Sequence, residues 1–127
     1  MTIMRRLAAG LLSAFLLSGC SNNTGPVAGA LNVSISSPRH DDGALLLTVS
    51  GGPVDSVESI GFRIYSIRAA DSVKFIVTGS LGSGPVARIH IPDGREASRY
   101  SAKISQVAAR ASYASRDPET YSVTLRP

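Results

Sequence analysis

The chain has 127 residues, 43% of them hydrophobic, which is enough for one packed core and excludes a disordered chain. Its formal net charge of +4 includes Arg5 and Arg6. Beyond Cys20, eleven Lys and Arg are interspersed with nine Asp and Glu, without the basic run typical of nucleic-acid binding. Cys20 is the single cysteine, so an internal disulfide is excluded, and no spacing of Cys and His indicates zinc.

The first nineteen residues have the layout of a secretory signal peptide. Residues 1–6 are short and positively charged, and residues 7–17 form an apolar run. That run is shorter than the roughly twenty residues that a membrane-spanning helix needs. We therefore expect a signal-peptide helix over residues 1–19.

The run ends in the sequence Leu17-Ser18-Gly19-Cys20. This resembles the lipobox of bacterial lipoproteins, in which the cysteine is lipidated. The resemblance implies that the Cys20 thiol is joined to a diacylglycerol, that a peptidase cuts before it, and that the new N-terminus is acylated. Ser21 rather than Asp follows the cysteine, which in Gram-negative lipoproteins favours the outer membrane. The alternative is a plain signal peptide followed by an ordinary cysteine.

Residues 20–30 read as a lipidated cysteine followed by a flexible tether. The stretch SNNTGPVAGA is small, polar and contains Gly and Pro, without a sustained helical or strand period. The alternative is that its last residues belong to a first strand.

Residues 31–127 have the period-two apolar pattern of an all-β domain, in short runs separated by turn residues. About seven antiparallel strands in some hundred residues predict a single two-sheet sandwich. The Ala-rich stretch 97–115 also permits a helix, but its alternation favours a strand as far as Val107. The predicted strands cover residues 31–36, 44–50, 57–67, 73–78, 86–91, 99–109 and 121–125.

The stretch Ile91-Pro92-Asp93-Gly94, followed by Tyr100-Ser101-Ala102-Lys103-Ile104, resembles the corner before the sixth strand of fibronectin type III and other immunoglobulin-like domains. The resemblance implies an immunoglobulin-like β-sandwich in which Tyr100 is a structural tyrosine, its hydroxyl bonding to backbone near the corner. The second strand lacks the usual Trp, and the spacing from Gly94 to Tyr100 is longer than usual. The subfamily therefore stays open.

Residues with catalytic or metal-binding chemistry are sparse, and we predict no catalytic residue, metal or cofactor. His40 adjoins Asp41 and Asp42, but three neighbouring residues do not easily converge on one ion, and a solvated turn is expected. His90 is expected on a solvent-facing strand position. No serine lies in a nucleophile-elbow motif, and the glycine-rich stretch 79–84 lacks the Lys-Ser/Thr of a phosphate loop.

The segment 109–119 is long for a hairpin loop and carries Arg110, Tyr113 and Arg116. Tyr and Arg are residue types that concentrate binding energy at interfaces, so these three form a possible partner-binding loop. The alternative is an ordinary solvated loop whose tyrosine packs against the sheet edge.

Together these features predict a lipid-anchored protein of the cell envelope, at the outer membrane and facing the periplasm or the surface. Its sandwich would act as a non-catalytic binding or structural module. The expected partners are the membrane, through the lipid, and an unidentified envelope protein or polymer, with no nucleic acid. The alternatives are a small envelope enzyme or its accessory subunit, and a periplasmic carrier with a ligand cavity between the sheets.

Overall fold

The computed structural model describes residues 25–127; the predicted signal peptide and the predicted lipidation site at Cys20 lie outside this range. Within it, nine strands and two short 3-10 helices follow one another in chain order. They are β1 (Gly29–Ser36), β2 (Asp42–Ser50), β3 (Ser56–Ser59), β4 (Arg63–Arg68), β5 (Ser72–Leu81), β6 (Gly84–Ile91), η1 (Gly94–Arg99), β7 (Ser101–Ala109), β8 (Ser115–Arg116), η2 (Pro118–Thr120) and β9 (Ser122–Arg126).

The strands form two antiparallel sheets, which confirms the predicted all-β sandwich. One sheet has four strands in the order β3-β6-β1-β9, and the other has five in the order β4-β5-β2-β7-β8. The β4–β5 and β7–β8 connections stay within the five-stranded sheet, whereas the other connections cross between the sheets. Most of the pairing is therefore between strands distant in the chain.

The core lies between the sheets, where the predicted alternation places the apolar side chains. In β1, Leu31, Val33 and Ile35 are buried, whereas the residues between them are partly exposed. The same alternation runs through β2 and β5, as expected for strands with one buried face. The largest fully buried side chains include Phe75, Leu31, Leu45, Leu47, Leu81 and Ile89.

The predicted strand over residues 57–67 is wrong as a single element. The chain forms β3 in the four-stranded sheet, crosses over, and forms β4 in the five-stranded sheet. Gly61 adopts a φ of +83°, which lets the chain turn where other residues would be strained. The backbone N–H of Phe62 donates to Ser59 Oγ at 3.1 Å and closes this turn. Ile60, which lies inside the predicted strand, is an exposed turn residue.

The boundaries of three other predicted elements also differ. The first strand begins at Gly29 rather than 31, so the end of the predicted tether belongs to it. The sixth strand begins at Ser101, because residues 94–99 form η1, whose cap Asp93 accepts from the N–H of Arg95 at 3.0 Å. The segment 109–119 contains the two-residue strand β8, which pairs with Val107 and Ala108. The strand interpretation of residues 101–107, favoured over a helix, is confirmed.

Truncating a core-facing and a solvent-facing side chain of β5 should have unequal effects on stability. Phe75→Ala should lower the free energy of unfolding by about 3–5 kcal/mol, because the Phe75 ring is 1% exposed and its loss leaves a cavity. The matched change Ile76→Ala, at a neighbouring side chain that is 40% exposed, should cost under about 1 kcal/mol. Urea denaturation measures both, and equal losses would contradict the assignment of the faces.

Candidate functional site

The strand directions give the sandwich two distinct ends. Gly29, where β1 starts, pairs with Ile91, where β6 finishes, and we call this the entry end. At the other end, β2 starts at Asp42, which pairs with Leu81 and Ala109. The turn 37–41, the turn 82–83 and the segment 110–121 gather there, and we call this the loop end. The predicted partner-binding residues therefore lie at the end opposite to the start of β1.

A fully buried carboxylate, that of Asp42, lies at the centre of the loop end. Three groups donate hydrogen bonds to it: Arg116 Nη1 at 2.6 Å, the Tyr121 hydroxyl at 2.7 Å and the Ser37 hydroxyl at 2.7 Å. A buried charge is tolerated when it is paired with an opposite charge and its lone pairs are satisfied. Asp42 thereby ties the turn 37–41, β8 and the start of β9 to one point.

Arg116 bridges two carboxylates. Besides Asp42, its guanidinium binds Asp41 through Nη1–Oδ1 at 2.9 Å and Nη2–Oδ2 at 3.1 Å. The hydrogen bonds from Arg116 hold the pKa of the Asp41 carboxyl below its usual value. The two carboxylates raise the pKa of Arg116, and its hydrogen bond to Asp41 is the largest cause. The Arg116 side chain is 16% exposed. Of the three predicted binding residues, Arg116 therefore has a structural role, because its guanidinium is paired with two carboxylates of the same domain.

Tyr121, which lies between η2 and β9, completes this network. Its ring is buried, and burial followed by the hydrogen bond to Asp42 raises the pKa of its hydroxyl. Sequence reasoning assigned Tyr121 to a strand but gave it no role. Nothing near Tyr121 in the sequence indicates that its hydroxyl binds a buried acid, because Asp42 is 79 residues away in the chain. Asp42 also follows directly on the exposed Asp41, so its burial is not evident from the sequence.

The tip of the loop, residues 109–114, lies next to this network and is closed by backbone hydrogen bonds. The Arg110 N–H donates to the Asp41 carbonyl at 2.8 Å, the Ala109 N–H to the Ala114 carbonyl at 2.9 Å, and the Tyr113 N–H to the Ala109 carbonyl at 3.0 Å. Tyr113 has a φ of +59°, a left-handed conformation that is unfavourable for a bulky side chain. Its side chain is 80% exposed. The loop therefore holds a strained backbone and presents a tyrosine to solvent.

Beside Tyr113 is an open groove of about 540 Å³, whose lining includes Arg110, Gly43, Thr78 and Ser80. The Arg110 guanidinium donates to the hydroxyl of Ser80 across it. A Cβ at Gly43 would lie 2.6 Å from the Cα of Arg110, so the close approach of these two backbones requires glycine. Arg110 and Tyr113 thus share one surface, from which Arg116 is turned away.

Tyr100 lies at the entry end and joins the two sheets. Its ring is buried, and its hydroxyl donates to the carbonyl of Pro53 at 2.6 Å. This partner belongs to the β2–β3 connection, whereas a backbone group near the tyrosine's own corner was expected. Burial is the main cause that raises the pKa of its hydroxyl. A Cβ at Gly52 would lie 2.7 Å from the same hydroxyl, so Gly52 leaves the room that this bond needs.

The two histidines lie on different parts of the surface. His40 is exposed in the turn 37–41, and His90 on β6 shares a hydrogen bond with Glu58 Oε1 on β3 at 2.9 Å. That bond is the main cause that lowers the pKa of Glu58. Within residues 25–127, no three His, Cys, Asp or Glu side chains lie close enough together to hold a metal ion.

Comparisons with known proteins found no matching family model, no similar curated protein and no similar solved structure. In the part of the chain that the structure describes, no helix is long and apolar enough to cross a membrane.

Removing a tyrosine hydroxyl should lower stability more in the buried network than in the exposed loop. Tyr121→Phe should lower the free energy of unfolding by about 1–3 kcal/mol, because the buried Asp42 carboxylate loses a hydrogen-bond donor. Tyr113→Phe makes the same chemical change at an exposed side chain and should cost under about 0.5 kcal/mol. Chemical denaturation measures both variants, and an equal effect would argue against the network.

The contribution of Asp41 should depend on pH. Its pKa is lowered below 3.8 by Arg116, so ionised Asp41 stabilises the folded state above about pH 4, and this stabilisation is lost as the pH falls through the lowered pKa. We expect wild type to be more stable than Asp41→Asn at pH 7 and the difference to shrink below pH 4. Denaturation midpoints from pH 7 to pH 2 measure it, and a constant difference would contradict the ion pair.

Proposed function

We propose that this protein is a lipid-anchored component of the bacterial cell envelope whose β-sandwich is a non-catalytic binding module. The support for the anchor is the leader, in which two arginines, an apolar run, Leu17-Ser18-Gly19-Cys20 and a polar stretch follow in the order found in lipoproteins. Ser21 favours the outer membrane over the inner one. Two or three acyl chains at Cys20 would give stable anchoring, since each buried CH₂ contributes about 0.8 kcal/mol.

The observation that carries the binding role is the opposite placement of the chain entry and the Tyr113 loop. The described chain reaches β1 at the entry end, where the Gly94 N–H donates to the Val27 carbonyl at 2.7 Å. Tyr113 and Arg110 lie at the loop end, on the other side of the strands. A lipid attached ahead of Val27 would therefore leave this loop clear of its own attachment point.

Tyr113 and Arg110 are the residues proposed to contact a partner. An exposed tyrosine offers a large rigid surface at a low entropic cost, and arginine adds a planar charge. Arg116, Asp41 and Asp42 act as the support, because their charges are satisfied within the fold. The proposed partner is an envelope protein or an envelope polymer that reaches the loop end.

Metabolic labelling tests the anchor. Cells given a radioactive fatty acid should label the wild-type protein and leave Cys20→Ala unlabelled, because the thiol is the proposed acceptor. The variant should also keep its leader, which mass spectrometry of the intact chain detects. Equal labelling of the two proteins would refute lipidation at Cys20.

Affinity capture from intact envelopes tests the loop. Wild type and Val27→Ala, which removes an exposed side chain at the entry end, should capture the same partner, and Tyr113→Ala should lose it. Tyr113→Gly should lose it too while folding at least as well, because glycine adopts a φ of +59° without strain. Identical partners for all four proteins would rule out the loop as the binding site.

A further inference from the structure

The outer face of the five-stranded sheet combines exposed apolar side chains with positive charge. We call it the cationic face and define it by six residues. They are Arg63, Tyr65 and Ile67 on β4, Lys74 and Ile76 on β5, and Lys103 on β7. Their side chains point away from the core, because their strand neighbours Val73, Phe75 and Ile104 are buried.

The apolar part of this face is continuous across three strands. Tyr65 lies directly opposite Ile76, and Ile76 lies directly opposite Leu46 of β2. Tyr65 is 59% exposed, Ile76 is 40% exposed and Ile67, on the same face of β4, is 76% exposed. Directly opposed residues contact one another across strands, so these side chains form one patch. Contiguous exposed apolar patches mark interaction surfaces.

The charge on this face has one sign. Lys74 pairs with Thr48, which pairs with Lys103 on its other side, so the two lysines lie in one row beside the apolar patch. Asp42 is the single acid in the five strands, and it is buried at the loop end. Within residues 25–127, no ion pair involves Arg63, Lys74 or Lys103.

The outer face of the four-stranded sheet has a different composition and provides a built-in comparison. Its charges are mixed: Glu58 bonds to His90, and Arg88 donates to Asn32 at 3.2 Å. None of the exposed large hydrophobic side chains of residues 25–127 lies on its strands. The exposed apolar patch therefore belongs to one side of the sandwich, whereas on the other side Arg88 and Arg126 lie in one row with Glu58 and Asn32.

We propose that the cationic face lies against the surface of an anionic lipid bilayer. Ile67 and Tyr65 enter the headgroup region, where tyrosine's apolar ring and polar hydroxyl are both accommodated. Arg63, Lys74 and Lys103 meet the anionic headgroups, which attract basic side chains near the membrane surface. The inference rests on the proposed lipid anchor, since an anchor raises the effective concentration of this modest surface at the membrane.

The length of chain ahead of β1 is compatible with this arrangement. Seven residue steps separate Cys20 from Val27, which is held at the entry end, and they reach at most about 25 Å. The two sheets of a sandwich lie about 10 Å apart, so a lipid at Cys20 can insert beside the cationic face. Ile67 and Lys74 lie near the entry-end limits of β4 and β5, and Tyr113 lies at the loop end, clear of the contact.

A fluorescent probe on the cationic face tests the proposal without depending on lipidation. In the mature chain carrying Cys20→Ala, Ile67→Cys leaves one thiol for an environment-sensitive dye. Vesicles of phosphatidylcholine with about 30% phosphatidylglycerol should shift its emission to the blue, and pure phosphatidylcholine should not. The same dye at Thr124→Cys, on the outer face of the four-stranded sheet, should not respond. Salt near 150 mM should weaken the response by screening.

Charge reversal then separates a specific face from general attraction. Lys74→Glu with Lys103→Glu should weaken vesicle binding roughly tenfold or more. Arg88→Glu with Arg126→Glu makes the same change in net charge on the other face and should leave binding close to that of the parent. Equal losses in the two double variants, or no emission shift with anionic vesicles, would overturn the proposal. Failure of fatty-acid labelling would instead refute the anchor alone.

Discussion

The buried carboxylate of Asp42 is the constraint on which the loop end depends. A charge that is fully removed from water needs a counter-charge and hydrogen-bond donors, and Arg116, Tyr121 and Ser37 supply them from three parts of the chain. Arg116, the last residue of β8, binds Asp42 and Asp41 together and so attaches β8 to the turn 37–41. Ahead of Arg116, backbone hydrogen bonds from Ala109 to Ala114 and from Tyr113 to Ala109 close the loop, and Tyr113 has an exposed, left-handed conformation.

The same two-sheet architecture makes the two ends and the two outer faces of the domain different from one another. The antiparallel strands separate the entry end from the loop end, and the pleat separates the outer face of each sheet from the core. One outer face carries lysines beside an apolar patch, and the other carries basic residues mixed with Glu58 and no exposed large hydrophobic side chain on its strands. The proposed anchor, the proposed membrane-facing side and the proposed partner-binding loop therefore fall on different parts of a domain of about one hundred residues.

Sequence reasoning succeeded where the signal was local and failed where it was not. The alternation in β1, β2 and β5 located these strands, because burial of one face imposes period two on the side chains. The strand predicted over residues 57–67 was wrong, because apolar residues on both sides of Gly61 maintain the period while the chain changes sheets. The immunoglobulin-like resemblance stays a prediction. The strand order differs from that of immunoglobulin sandwiches at one sheet edge, which their first strand occupies and which the last strand, β9, occupies here beside β1.

The sequence by itself determined the fold class, because the alternation of apolar residues is a short-range pattern. The order of segments around Cys20 is a short-range pattern too, and from it lipid attachment is predicted. It also marked residues 109–119 as a candidate loop. Only the tertiary structure decided that Arg116 supports this loop while Tyr113 is presented, and that Lys74 and Lys103 share a row. The physical reason is that the burial of Asp42 joins it to Arg116 and Tyr121, 74 and 79 positions away, and the strand register joins Thr48 to both lysines. No local pattern encodes such pairings.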